Sequence, residues 1–182
     1  NLLSLSNSKI KSDFSSKKKY IKISGKYSVN RSNLLFYDLE NTFEDQSFNL
    51  KINCDFSRVL NLGIINYQKL KDIKAKIYLD LNKKENEIKI NEFNYNEGKN
   101  LLSLKNLKTK NNNFSSFEKI KVITYKKGKK NNDFSILYDK NILIEGKQLD
   151  ATNLPKYFNE KSKKNKFSKI NKKIEINLSN ID

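Results

Sequence analysis

Apolar and polar residues alternate one by one along most of this chain, and this alternation restricts the possible folds more than any other feature. The segment DIKAKIYLDLN shows it clearly. Every second residue from position 73 to position 81 is apolar: Ile73, Ala75, Ile77, Leu79 and Leu81. Because successive side chains of a β-strand point to opposite faces, the segment predicts a strand with one apolar face and one polar face.

The same alternation recurs in most of the remaining sequence. It continues through NEIKINEFNYN (86–96), LLSLKNLKTK (101–110) and KKIEINLSN (172–180), and three more strands are predicted between residues 117 and 146. After Ile90 the apolar positions slip by one residue, which predicts a β-bulge near Asn91–Glu92. The segment 57–70 fits either a strand or a short helix, and we interpret it as extended.

Together these segments predict an all-β fold, a long curled antiparallel sheet or β-groove with one short helix near residues 153–160. Such a sheet can fold onto a second sheet, close into a barrel or curl into a trough. Apolar residues make up 36% of the chain, below the roughly 45–50% of typical globular domains, so we expect an apolar face that stays partly open. The residues predicted to share this face are Ile73, Ile77, Leu79, Ile88, Ile90, Leu102, Leu104, Ile120, Val122, Ile136, Ile142 and Ile144.

The only proline of the chain marks the predicted helix. In ILIEGKQLDATNLPKYF, Thr152 can cap a helix whose first turn holds Pro155, a position where proline is tolerated. Leu154, Tyr157 and Phe158 would then lie on one side of the helix and plug one end or edge of the apolar sheet. A plain surface turn also explains the proline.

Two similar segments of the sequence indicate a repeated unit. The first eleven residues, NLLSLSNSKIK, share eight identities with NLLSLKNLKTK at 100–110. We interpret residues 1–182 as one β-groove segment that holds two multi-strand units, about 1–99 and 100–182, paired edge to edge. Because methionine is absent even at position 1, we expect the segment to belong to a longer protein.

The charge and the missing residue types argue against several functions. The formal charge is +17, but arginine, which proteins favour for reading bases and gripping phosphates, occurs only at positions 31 and 58. We therefore expect no nucleic-acid partner. The chain has no histidine and a single cysteine, Cys54, and its 20 carboxylates are dispersed. We accordingly predict no enzyme, no metal site and no cofactor.

Three successive segments resemble the AsmA-like family of Gram-negative bacteria, particularly its members related to YhdP and TamB. They are NYQKLKDIKAKIYLDL (66–81), the short strands from residue 86 to residue 122, and FSILYDKNILIEGKQLDATNLPKYFNE (134–160). The last one matches a Gly-x-x-Leu-Asp-x-[Ser/Thr]-x-Leu segment that opens a short helix, through Gly146, Leu149, Asp150, Thr152 and Leu154. The likeness covers roughly residues 48–160, while Pro155 and the high lysine content depart from the family pattern.

The resemblance implies a function in lipid transfer. Members of this family are regarded as bridge-like proteins that carry phospholipids along an apolar β-groove between the inner and outer membranes. For this chain it implies a periplasmic location, an inner-membrane anchor outside the chain, contacts with phospholipid acyl chains, and membranes at the ends of the full-length protein. The twelve face residues would line the lipid groove. The alternatives are a wall of an outer-membrane barrel or of its assembly machinery, and an adhesin-like β-sandwich.

Overall fold

Strands make up most of the structure. A computed structural model of the chain describes residues 2–15, 18–30, 32–44, 46–159 and 172–182, and for residues 18 and 157–159 it describes the backbone. The strands are β1 Leu3–Ser15, β2 Lys18–Val29, β3 Leu35–Glu44, β4 Ser47–Phe56, β5 Leu60–Leu62, β6 Tyr67–Lys69, β7 Ala75–Lys84, β8 Glu87–Glu97, β9 Asn100–Lys110, β10 Asn113–Ser116, β11 Lys119–Lys126, β12 Lys129–Tyr138, β13 Ile142–Leu149 and β14 Ile174–Ile181. Helix α1 spans Leu154–Asn159, and a 3₁₀ turn spans Gly63–Ile65. No helix in these ranges is long and apolar enough to cross a membrane.

One large open sheet contains most of the strands. Its order is β1-β2-β3-β4-β7-β8-β9-β11-β12-β13-β14, and β10 pairs beside it with β9. The predicted all-β fold with one short helix is confirmed. Neighbouring strands are antiparallel except β13 and β14, which run parallel. The sheet is therefore mixed rather than antiparallel throughout, because β14 begins beside Ile142, the first residue of β13.

The predicted bulge lies in β8 and is confirmed. Asp80 pairs with Glu92 and Leu81 pairs with Ile90, so Asn91 is the extra residue of β8. Its side-chain amide donates to the Oδ1 atoms of Asp80 and Asn82, at 3.2 and 3.3 Å. The extra residue restores the phase of the alternation, so the apolar residues on either side of it reach the same face.

Residues 57–70, which we call the cover hairpin, leave the large sheet. Strand β4 pairs directly with β7, and β5 pairs with β6 in a separate two-stranded sheet. The 3₁₀ turn between them ends at Asn66, whose backbone is left-handed with a φ of 50°. The prediction of an extended segment is right for β5 and β6 but wrong for Gly63–Ile65, because the chain reverses there.

The two similar sequence segments, 1–11 and 100–110, adopt the same local structure. They form β1 and β9, and their corresponding residues Asn7 and Asn106 both have left-handed backbones, with φ of 52° and 51°. The predicted boundary between the units falls in the hairpin that joins β8 to β9. The sheet is continuous there, and the division into two units stays a prediction.

Helix α1 falls within the predicted range 153–160. Its predicted cap, Thr152, instead donates its hydroxyl to Asp150 Oδ1 at 2.6 Å. Leu154 packs against the buried cluster of Val122, Phe134 and Leu149, which is the contact that a plug requires. The side chains of Tyr157 and Phe158 lie outside the described part of the chain.

We predict that Gly146→Ala strongly destabilises the sheet. A Cβ atom on Gly146, in β13, would lie 2.3 Å from the Asp133 carbonyl oxygen and 2.6 Å from the Phe134 Cα, both on β12. Relieving such a backbone clash should lower the free energy of unfolding by about 3 kcal/mol or more. The measurement is the urea unfolding midpoint.

Gly98→Ala is the matched control. Gly98 has a φ of +56°, and a Cβ atom there would meet nothing within 4 Å. Only the left-handed conformation is then penalised, at about 1–2 kcal/mol. Equal losses in the two variants would contradict the close approach of β12 and β13.

Candidate functional site on the apolar face

The strand register brings most of the predicted lining residues together. Eleven of the twelve lie on one face of the sheet: Ile77, Leu79, Ile88, Ile90, Leu102, Leu104, Ile120, Val122, Ile136, Ile142 and Ile144. Ile73 lies apart from them, because it precedes β7 and its side chain is 46% exposed. That these side chains line a lipid groove stays a prediction.

One line of apolar side chains, the central row, crosses the whole sheet. Each strand of the main order contributes one residue, paired in register with the next. The central row consists of Ile10, Ile23, Leu39, Ile52, Leu79, Phe93, Leu104, Ile120, Ile136, Ile144 and Ile176. Its ten steps between strands, at about 4.8 Å each, make it about 48 Å long.

The central row is neither buried nor fully exposed. Its interior members are half-buried, while Ile10 and Ile176 at its ends are 68% and 53% exposed. Within the described ranges the only other sheet is the small one formed by β5 and β6. No second layer of comparable size therefore lies on the central row in this part of the chain, and the row presents an apolar surface to its surroundings.

The opposite face of the sheet is charged. Another line of residues in register crosses β1 to β11 there: Lys11, Lys22, Glu40, Lys51, Asp80, Glu92, Lys105 and Lys119. Lys22 Nζ lies 3.7 Å from Asp38 Oδ1 and 3.5 Å from Glu40 Oε2. Because burying such charges without partners is costly, this face stays hydrated, and the opposite one is left for apolar contacts.

The cover hairpin buries one end of the apolar face. Tyr67 of β6 packs on Tyr95 and Ala75, and all three side chains are buried. The Tyr67 hydroxyl donates to Glu97 Oε2 at 2.7 Å and lies 2.8 Å from the Tyr95 hydroxyl. Burial first, then the hydrogen bonds with Tyr95 and Glu97, raise the pKa of Tyr67 far above its usual value. Tyr67 therefore remains neutral in this contact.

A buried lysine closes the base of the cover hairpin. Lys69 is 1% exposed, and its Nζ donates to the carbonyl oxygens of Arg58 at 2.9 Å and Leu70 at 3.0 Å. Burial lowers the pKa of Lys69. Its ammonium also lies 5.4 Å from the centre of the Phe56 ring. One side chain thus ties the two ends of the hairpin together.

A network of polar side chains, the polar anchor, holds the tip of the cover hairpin on the sheet, and four of its six members are buried. It consists of Asn66, Thr124, Asn131, Asn132, Asp150 and Asn153. Asn132 is fully buried. Its amide donates to the Ile65 carbonyl oxygen at 2.8 Å and to Thr124 Oγ1 at 2.7 Å, and its own oxygen accepts from the Asp150 N–H at 2.9 Å. Asn153 also donates to the Gly63 carbonyl oxygen.

Asp150 is the charged member of the polar anchor. Its carboxylate accepts from Asn66 at 2.8 Å, from Asn131 at 3.1 Å and from the Thr152 hydroxyl at 2.6 Å. Burial alone raises the pKa of Asp150, but these hydrogen bonds together outweigh it and hold the pKa below its usual value. The ionised carboxylate is therefore the form that the anchor is built to hold.

The structure adds residues that sequence reasoning missed. The central row extends through β1 to β4 with Ile10, Ile23, Leu39 and Ile52, and alternation in those strands was the available signal. The polar anchor had no comparable signal, because asparagine is common throughout the chain. The described residues contain no group of three or more cysteine, aspartate or glutamate side chains that could hold a metal ion.

Comparisons of the chain with models of protein families, with curated proteins and with solved structures give no match.

We predict that Asp150→Asn loosens the polar anchor in a pH-dependent way. The variant should lose about 1.5–3 kcal/mol of unfolding free energy at pH 7, the range for hydrogen bonds to a charged group. Because the folded pKa is lower than the unfolded value of about 3.9, the carboxylate stabilises the fold above about pH 4. This contribution is lost as the pH falls through the folded pKa.

Urea unfolding of both proteins at pH 7 and pH 3 measures this difference. The gap between wild type and Asp150→Asn should shrink at pH 3. Asp139→Asn, in an exposed turn, is the control and should cost under about 0.5 kcal/mol. A gap that stays constant with pH would show that the charge of Asp150 has no part in the anchor.

Proposed function

We propose that this chain is a segment of a periplasmic bridge-like protein that carries phospholipid between the inner and outer membranes. Acyl chains lie along the central row, at right angles to the strands. The central row supports this proposal most directly, because it is apolar at every strand and half-exposed over its interior. The resemblance to the AsmA-like family supports the same function and the periplasmic location.

The energetics of the central row suit passage rather than tight binding at one point. An acyl chain gains about 0.8 kcal/mol for each CH₂ group that leaves water. Since the row repeats the same kind of side chain at each strand, a lipid can advance from strand to strand with little change in free energy. The row is about 48 Å long, and one leaflet of a bilayer core is about 15 Å deep. More than one acyl chain therefore fits along it.

Two lysines on the apolar face suit a phosphate headgroup. Lys19 and Lys83 lie on this face near the strand ends opposite the cover hairpin, and both are exposed. Lys19 pairs in register with Phe14 and Phe43, and Lys83 Nζ lies 5.9 Å from the centre of the Phe48 ring. An acyl chain on the central row could thus place its anionic headgroup beside a lysine at this open side. The proposed step is binding and movement, without a chemical reaction.

We predict that photo-crosslinking distinguishes the two faces. A photoreactive amino acid at Ile52 or Leu104, in the central row, should form phospholipid adducts in liposomes and in cells. The same residue at the neighbouring positions Lys51 or Lys105, on the charged face, should not. Mass spectrometry of the adducts makes the comparison. Equal labelling of both faces, or no adduct at any position, would contradict the proposed groove.

We also predict that a charge in the central row interrupts lipid binding. Leu79→Glu should weaken binding of a fluorescent phospholipid at least about tenfold, because bringing an unpaired carboxylate against acyl chains costs several kcal/mol. Tyr78→Glu, on the opposite face of the same strand, should bind within about twofold of wild type. Circular dichroism of both variants verifies that the sheet is intact. Undiminished binding by a folded Leu79→Glu protein would remove the central row from the mechanism.

A further inference from the structure

Strand β1 has the sequence of an interior strand but stands at the edge of the sheet. It begins with the segment that is repeated, with eight identities in eleven residues, around β9. Strand β9 is paired on both sides, with β8 on one and with β10 and β11 on the other. Among the described residues, β1 pairs only with β2. The two strands therefore share a sequence but differ in their number of neighbours.

The outer edge of β1 corresponds to the edge of β9 that holds β8. Six antiparallel steps separate the two strands, so they run in the same direction. Leu3 and Leu5 lie on the apolar face, as do their counterparts Leu102 and Leu104. Each of the two strands has a neighbour on the same side: β2 lies beside β1 as β11 lies beside β9. The outer edge of β1 therefore corresponds to the edge of β9 that pairs with β8.

The backbone of β1 has N–H and C=O groups directed to its outer edge, where a strand placed like β8 could pair with them. The Asn30 N–H donates to the Leu2 carbonyl oxygen at 2.7 Å. Residues of an antiparallel strand direct their backbone groups alternately to the two sides, so Leu3 and Leu5 direct theirs to the outer edge. Leu3 is 62% and Leu5 60% exposed, whereas Leu102 and Leu104 are half-buried.

The first residues of β1 also lack the charges that usually protect a free edge. Natural edge strands carry charges or prolines that discourage pairing. Residues 2–8 contain neither, whereas the rest of β1 carries Lys9, Lys11 and Asp13 and begins after a register shift between Ser6 and Lys9. At the other edge of the sheet, β14 carries Glu175 beside Ile174 and Ile176. The uncharged part of the β1 edge is therefore the part that holds Leu3 and Leu5, the counterparts of Leu102 and Leu104 in β9.

We propose that the outer edge of β1 binds an extended strand from outside residues 1–182 that alternates apolar and polar residues as β8 does and runs antiparallel to β1. By the register of β8 on β9, in which Tyr95 faces Leu102 and Phe93 faces Leu104, apolar residues of the partner lie opposite Leu3 and Leu5. This interaction extends the apolar face by one strand. It does not rest on lipid binding and is tested without lipid.

The experiment uses a fluorescent peptide with the sequence of residues 87–98, EIKINEFNYNEG, added to the whole chain and followed by fluorescence anisotropy. In one version the backbone nitrogens at the positions of Phe93 and Tyr95 are N-methylated, which blocks the N–H groups that face β9 in the sheet. In the matched version the nitrogens at Asn94 and Asn96, which face the other way, are methylated. We expect the first version to bind about tenfold more weakly than the second, because two hydrogen bonds are lost.

Two further measurements locate the peptide. Hydrogen exchange of the Leu3 and Leu5 amides should slow on peptide addition. Leu5→Pro removes an N–H that faces outward and should abolish binding while the pairing of β1 with β2 remains, and Leu5→Ala should bind within about threefold of wild type. Equal binding of the two methylated peptides, binding that survives Leu5→Pro, or protection at β14 instead of β1 would each overturn the proposal.

Discussion

Every other feature of this structure depends on the cross-strand register of the large sheet. Side chains alternate with a period of two, so a slip of one residue between neighbouring strands would turn all apolar residues of a strand to the charged face. The register shift at Asn91 is an example, because one extra residue there keeps the apolar residues of β8 on the same face along the whole strand. Without the extra residue, either Ile88 and Ile90 or Phe93 and Tyr95 would point to the charged face, and the apolar face would be interrupted in the middle of the sheet.

The register also explains why the sheet remains largely a single layer. Charged residues are aligned across strands on one face, as in the line through Lys51 and Asp80, and hydration favours leaving that face in water. On the other face the cover hairpin buries one end of the sheet. Buried amides such as Asn132 hold it there, and directional hydrogen bonds fix its position more tightly than apolar contact alone would. The rest of the central row stays accessible, which is the property that the proposed lipid function uses.

The exposed apolar surface of the sheet extends to both of its edges. Ile10 and Ile176 end the central row with more than half of each side chain exposed. A further strand at β1 would continue the row beyond Ile10, and the line of apolar residues would lengthen by one strand spacing of about 4.8 Å. A lipid path and a strand-accepting edge are therefore compatible features of one open sheet, although each is tested separately.

The sequence by itself determined the strands, their two unlike faces, the bulge near Asn91 and the short helix, because each depends on local residue order. The tertiary structure alone decided how the strands line up across the sheet, that β14 runs parallel to β13, and that Ile73 lies outside the face. It also decided that residues 57–70 form a cover hairpin held by Asn66, Asn132 and Asp150. These features rest on contacts between residues far apart in the chain, and alternation along one strand carries no information about which residues of another strand it will meet.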